Sequence, residues 1–167
     1  SINAALKMSE QGDCGRVIAR DLSDYKVALI DENIKRLNIT NIQTQVYDAL
    51  DCDESLINKA DIVIADLPCS GLGIIGRKPD IKYNASPEKL QSLVDLQRDI
   101  LKVVSRYVKS GGVLMYSTCT INRAENEDNA DWICKESGFT KDGEYHQLLP
   151  ANNSGMDGFF VARLIKS

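Results

Sequence analysis

Two cysteines sit in segments whose neighbours suit covalent chemistry. Cys69 lies in Asp66-Leu67-Pro68-Cys69-Ser70-Gly71-Leu72-Gly73 and Cys119 in Ser117-Thr118-Cys119-Thr120, 50 residues further on. Pro68 stiffens the first turn, small residues flank its thiol, and Asp66 adds a carboxylate, giving a rigid platform for a planar ligand. Two thiols and an acid suit methylation of carbon 5 of a pyrimidine. That carbon is too weakly nucleophilic to attack a methyl donor until a thiolate adds at carbon 6, and the covalent step divides the barrier. An acid contacting the ring nitrogen and exocyclic amine would stabilise the developing charge. A second group must help remove the carbon-5 proton and release the thiol. Taken singly, a cysteine at a strand end is more often a small buried hydrophobe, the reading kept for Cys14, Cys52 and Cys134.

The elements that must position these residues are legible from periodicity and punctuation. Residues 2–11 read as a short helix stopped by Gly12, and residues 16–19 as a strand closed by Asp21. Ser23 is an N-cap for a helix with Val27, Ile30, Ile34 and Leu37 on one face. Residues 41–47 alternate as a strand ending at Asp48, and the acidic stretch from Asp51 to Glu54 reads as a loop. Residues 60–65 form a β-branched run ending at Asp66, the pattern of a parallel strand buried on both faces. Pro68, Gly71, Gly73, Gly76 and Pro79 predict a long loop over residues 67–85. Ser86-Pro87-Glu88 then opens a helix whose stripe is Leu90, Leu93, Val94, Leu101, Val104 and Val108, ended by Gly111-Gly112. Residues 113–117 follow as a buried strand. Asn122 with Glu125 resembles a capping box for a helix ended by Gly138, and residues 159–165 suggest a closing strand pair.

Strands alternating with helices imply an α/β, mostly parallel sheet whose ligands lie beyond the carboxyl ends of the strands. Asp21, Asp48, Asp66 and Cys119 all occupy such ends. Asp21 could accept hydrogen bonds from ribose hydroxyls and Asp48 from an adenine amine, although an exposed Asp after a strand is commonplace. His146, the one histidine, has no visible partner in the sequence.

A length of 167 residues, 43% of them hydrophobic and 26% charged, fits a soluble globular domain. The net charge of −4 gives no overall attraction to nucleic acid or anionic membrane. An RNA partner would need a local basic patch, for which Arg77, Lys78 and Lys82 beside Tyr83 are the candidates, against the plain reading of a solvated run. Five cysteines without a Cys-x-x-Cys pair argue against a disulfide framework and a tetrahedral zinc site. No signal peptide or membrane-length apolar run is visible, so the expected compartment is the cytoplasm.

The segment from Asp66 to Gly71 resembles the Asp-x-Pro-Cys-Ser-Gly motif, and Ser117 to Thr120 the Thr-Cys-Ser motif, of the Sun-type (nucleolar-protein-type) RNA cytosine-5 methyltransferases. Gly76-Arg77-Lys78-Pro79-Asp80-Ile81-Lys82-Tyr83 and Asp157-Gly158-Phe159-Phe160 resemble the same family, particularly its bacterial members acting on small-subunit ribosomal RNA. The likeness spans nearly the whole chain. It implies a Rossmann-like S-adenosylmethionine-dependent methyltransferase fold with RNA as partner. It also implies Cys119 as nucleophile at carbon 6 of cytosine and Cys69 as the residue assisting product release. Asp66 would contact cytosine and the methionyl group of the cofactor, while Asp21 and Asp48 would hold its ribose and adenine. Position alone does not separate the two cysteines, because some DNA cytosine methyltransferases attack with the Pro-Cys thiol.

The family pattern further includes an upstream strand and a Cys-Ala-Ala-Pro-Gly-Gly-Lys loop wrapping the methionine end of the cofactor, and an RNA-binding region before it. Neither occurs here, so residues 1–167 are expected to form one partial catalytic domain, truncated at the N-terminus and inactive alone. The missing strand would lie between those ending at Asp21 and Asp66, leaving unpaired backbone groups. The remaining strands are expected to pair directly or to gain partners from a second copy, a homo-oligomer through the incomplete sheet. The rival reading is a non-catalytic RNA-binding or assembly module on a degenerate methyltransferase scaffold. A small-molecule methyltransferase would explain the acids but not the paired thiols.

Overall fold

The structure is a computed structural model that describes residues 1–12, 15–150 and 156–167, so Cys14 lies outside the described residues. The chain divides into two compact units, Ser1–Asp51 and Cys52–Ser167. Strands and helices alternate, and the sheets combine parallel and antiparallel pairs.

The first unit runs α1 (Ile2–Glu10), β1 (Val17–Asp21), α2 (Asp24–Arg36) and β2 (Ile42–Val46). Ser23 caps α2 by accepting from the Lys26 N–H at 3.4 Å, which satisfies one of the orphan donors at the helix start. The strands β1 and β2 pair in parallel from Val17 opposite Ile42 to Asp21 opposite Val46. Among the described residues, Ala5, Ala19, Val27 and Ile39 are the buried apolar residues of this unit.

The second unit contains β3 (Ala60–Asp66), α3 (Ile81–Asn84), α4 (Pro87–Val104), β4 (Val108–Thr118), α5 (Glu127–Ser137), β5 (Phe139–Lys141), β6 (His146–Leu148) and β7 (Phe159–Lys166). Its sheet has the order β3-β4-β7-β5, with β6 also on β7. The β3–β4 pair is parallel, and β7 runs antiparallel to its three partners. Ser86 caps α4 at 3.3 Å with Pro87 at the first position, and Gly138 ends α5 at φ +67°. Leu101, Leu114, Tyr116, Ile133, Phe160 and Leu164 are fully buried between these helices and the sheet. The Tyr116 and Phe160 rings meet edge to face at 6.0 Å, a favourable aromatic geometry.

Four local expectations are corrected. The run 60–65 is buried on one face only: Ile62 is 61% exposed and Ile64 59%, while the opposite face, with Val63 and Ala65, joins the core. Among the described residues β3 pairs with β4 alone, at the edge of its sheet, and β1 and β2 with each other alone, so the direct pairing expected of the strands ending at Asp21 and Asp66 is not found there. Gly111-Gly112 does not end α4. That helix stops at Val104, a 3-10 turn follows, and the glycines lie inside β4, so Val108 is a strand residue. There they absorb a register shift between the Ala60–Val108 and Ile62–Val113 pairs. Lastly, residues 67–85 hold a 3-10 turn, Leu72–Ile74, and the helix α3.

Among the described residues no helix is long and apolar enough to cross a membrane.

Candidate active site

Parallel pairing of β3 with β4 places Asp66 directly opposite Ser117, so the segments that follow the two strands leave the sheet side by side. The consequence is a meeting of thiols far apart in sequence. Cys69 Sγ lies 2.9 Å from Cys119 Sγ, and the Cys119 N–H donates to Cys69 Sγ at 3.2 Å. Asp66 is exposed beside them and accepts from the Ser117 hydroxyl at 3.0 Å. A carboxylate so held keeps acceptor capacity for another donor.

Burial, and then the hydrogen bond with Cys119, push the Cys69 thiol up to about 12 from an ordinary value of 9.0. It therefore stays protonated at neutral pH. At pH 8 its thiolate fraction is about 1000-fold below that of an ordinary thiol, partly offset by the greater nucleophilicity of a more basic sulfur. Alkylation by iodoacetamide, followed by peptide mass spectrometry, is expected to be about 100-fold slower at Cys69 than at free cysteine at pH 8. The rate should keep rising beyond pH 11 rather than levelling near pH 9.

Next to Cys69 a cleft of about 230 Å³ is lined by Ser70, Ile81, Leu90 and Leu93, with Asp80 and Lys89 also on its walls. Of the cations considered for a basic patch, Arg77 pairs with Asp157 at 3.1 Å and Lys82 stacks on Tyr83 at 4.7 Å. His146 is exposed on β6.

Asp21 and Asp48 lie in the first unit, at the carboxyl end of the parallel pair β1–β2. Asp21 accepts from the Ser23 N–H at 2.9 Å and faces Lys26 at 3.5 Å. Asp48 accepts from the Leu50 N–H at 2.9 Å. Both carboxylates are oriented by their own turns. The structure thus gathers the named residues in two groups, Asp66 with Cys69 and Cys119 in one unit, and Asp21 with Asp48 in the other.

A buried polar cluster beneath the thiols is absent from the sequence reading. Glu125 is fully buried, and its carboxylate accepts from the Ser70 N–H at 2.8 Å, the Ser70 hydroxyl at 2.6 Å, Gln97 Nε2 at 3.0 Å and Asn122 Nδ2 at 2.9 Å. Gln97, also fully buried, donates to the Pro68 carbonyl at 2.9 Å and accepts from Asn129 at 2.8 Å. The capping box expected of Asn122 and Glu125 is replaced by this arrangement: Asn122 caps a 3-10 turn, Arg123–Glu125, and the Glu125 side chain turns inward. One signal was available. Gln97 falls three residues after Val94 and four before Leu101, in the apolar stripe of α4, where a polar residue needs partners.

Residues 4–165 match the family model described as 16S rRNA methyltransferase RsmB/F. The chain belongs to that family. It is 36% identical to the probable ribosomal RNA small subunit methyltransferase B of Bacillus subtilis, over 91% of this chain and 38% of that protein. It is 33% identical to the ribosomal RNA small subunit methyltransferase F of an Escherichia coli O157:H7 strain, over 92% of this chain and 35% of that one. The crystal structure of NSun6 from Pyrococcus horikoshii with SFG superposes with a TM-score of 0.75 at 26% identity, over 91% of this chain and 41% of that chain. The RsmB/F chain described here therefore spans somewhat over a third of the length of these curated relatives. The family and the sheet agree with the resemblance drawn from the two cysteine motifs.

Proposed function

We propose that this chain carries the cysteine centre of an S-adenosylmethionine-dependent enzyme that methylates carbon 5 of a cytosine in small-subunit ribosomal RNA. The observation that carries this reading is the 2.9 Å approach of Cys69 and Cys119 at the ends of two paired parallel strands, with Asp66 on the same edge. Membership of a ribosomal RNA methyltransferase family supports the substrate class.

In this reading Cys119 is the nucleophile. Its sulfur bonds to carbon 6, and the displaced π electrons make carbon 5 electron-rich. Asp66, exposed and already fixed by Ser117, accepts from the exocyclic amine of the cytosine. After methylation the carbon-5 proton passes to water, and the electron pair it leaves reforms the ring double bond as the carbon 6–sulfur bond breaks and Cys119 departs as a thiolate. Cys69 assists that release: its thiol, kept protonated by burial, lies 2.9 Å from the Cys119 sulfur, where it can donate a hydrogen bond to the departing thiolate. The neighbouring cleft of about 230 Å³, apolar on Ile81, Leu90 and Leu93, suits a flat base taken out of its stack.

The residues present fit the cofactor's polar groups. Asp21 and Asp48 end adjacent parallel strands, each oriented by its own turn, and each carboxylate keeps acceptor sites for ribose hydroxyls and the adenine amine. When bound, S-adenosylmethionine supplies an electrophilic methyl group. Covalent trapping tests the reading. The full-length protein, given S-adenosylmethionine and RNA containing 5-fluorocytosine, is expected to remain attached to the RNA, because fluorine blocks the final proton removal.

A further inference from the structure

We propose that Glu125 is a positioning residue that holds the Cys69 turn against the Cys119 turn and so sets the distance between the two sulfurs. The inference rests on the two thiols acting as a pair, the reading given above.

The carboxylate collects four donors, from Ser70, Gln97 and Asn122. Ser70, the residue after Cys69, gives it both its N–H at 2.8 Å and its hydroxyl at 2.6 Å. The Ser70 hydroxyl also lies 2.8 Å from the hydroxyl of Thr120, the residue after Cys119. Asn122, two residues beyond Thr120, donates to the same carboxylate oxygen as the Ser70 hydroxyl, at 2.9 Å, and its own N–H reaches Thr120 Oγ1 at 3.2 Å. Both cysteines are thus flanked by residues tied to one buried acid. Gln97 closes the arrangement from α4, linking the carboxylate at 3.0 Å to the Pro68 carbonyl at 2.9 Å. Tyr116, whose phenol burial pushes up so that it remains a donor, binds the Glu125 carbonyl and fixes the backbone from which the side chain projects.

Removing the acid leaves several donors without an acceptor in a buried place, and the turns can satisfy them only by moving. Displacement of a reacting group by about 1 Å is enough to cost on the order of 100-fold in a proximity-dependent step. A neutral residue of similar size restores only part of the arrangement, because an amide nitrogen would face donors.

The test needs neither RNA nor cofactor, so its failure is separate from failure of the methylation reading. Diamide, an azo oxidant, takes two electrons and two protons from a pair of thiols, and mass spectrometry measures the rate at which Cys69 and Cys119 become joined. Wild-type protein is expected to join them readily. Glu125→Ala should slow this by about tenfold or more, with Glu125→Gln and Ser70→Ala showing smaller decreases. Leu164→Ala, which removes core packing on β7, a strand that supplies none of the carboxylate's donors, should leave the rate near wild type although stability falls. Should Glu125→Ala fail to fold by circular dichroism, Glu125→Gln and Ser70→Ala carry the comparison. Wild-type rates in folded Glu125 and Ser70 variants would overturn the proposal. So would a wild-type protein that does not join the two, or an equal slowing in Leu164→Ala.

Discussion

Replacing Cys119 by alanine in the full-length protein is expected to abolish methyl transfer to RNA, a loss on the order of 10⁴-fold or more, as when other covalent nucleophiles are removed. No covalent RNA complex should form. Replacing Cys69 by alanine should have a different signature. The attacking sulfur remains, the hydrogen-bond donor 2.9 Å from it is gone, and the protein is expected to accumulate as a covalent complex with ordinary RNA while turnover falls. Denaturing gel electrophoresis of protein mixed with labelled RNA distinguishes the outcomes. A complex in Cys119→Ala but not in Cys69→Ala would reverse the two roles. The upward shift of the Cys69 thiol argues for the assignment made here, since a thiol that burial holds protonated is poorly suited to attack.

The second large effect concerns a glycine. Gly73 donates its N–H to the Cys119 carbonyl at 3.1 Å, and its own carbonyl accepts from the Gly158 N–H at 2.7 Å. A Cβ at position 73 would stand 2.8 Å from the Cys119 carbonyl oxygen and closer still to the carbonyl oxygen of Gly158. Both obstacles are backbone, so no side chain can rotate away. Gly73→Ala is expected to destabilise the protein by about 3 kcal/mol or more, read as a lower urea midpoint at unchanged slope. Its residual activity should fall too, because relief of the clash moves the Cys119 turn. Gly76→Ala is the matched control: nothing lies within 4 Å of a Cβ there, and its effect should be small.

This contact explains why two distant motifs were legible together but not as a unit. Asp66-Leu67-Pro68-Cys69-Ser70-Gly71-Leu72-Gly73 and Asp157-Gly158-Phe159-Phe160 each stood out in the sequence, yet nothing there told that Gly73 and Gly158 touch. Backbone approach leaves no periodicity. The strand ends at Asp21 and Asp66, the caps at Ser23 and Ser86 and the stop at Gly138 were readable because each depends on a few adjacent residues. The convergence of Cys69 and Cys119 follows from the parallel pairing of β3 with β4, strands that lie far apart in the sequence.

The misreadings share a cause. A β-branched run reports that a strand forms, whereas burial of its faces depends on what packs on it, and Ile62 and Ile64 face outward. Gly111-Gly112 is a local break whose meaning depends on the register of β3 against β4. Asn122 and Glu125 have capping-box spacing, but Ser70 and Gln97 supply three donors to the acid from elsewhere in the chain. In each instance a contact remote in sequence overrides a local preference.

The central claim is that Cys119 becomes joined to carbon 6 of a cytosine in RNA. The most direct measurement is peptide mapping of the complex trapped on 5-fluorocytosine RNA in the presence of S-adenosylmethionine. Attachment at Cys119, dependent on the cofactor, is the predicted result. Attachment at Cys69, or no attachment by a folded full-length protein that binds the RNA, would contradict the account, the second outcome pointing to a non-catalytic RNA-binding module.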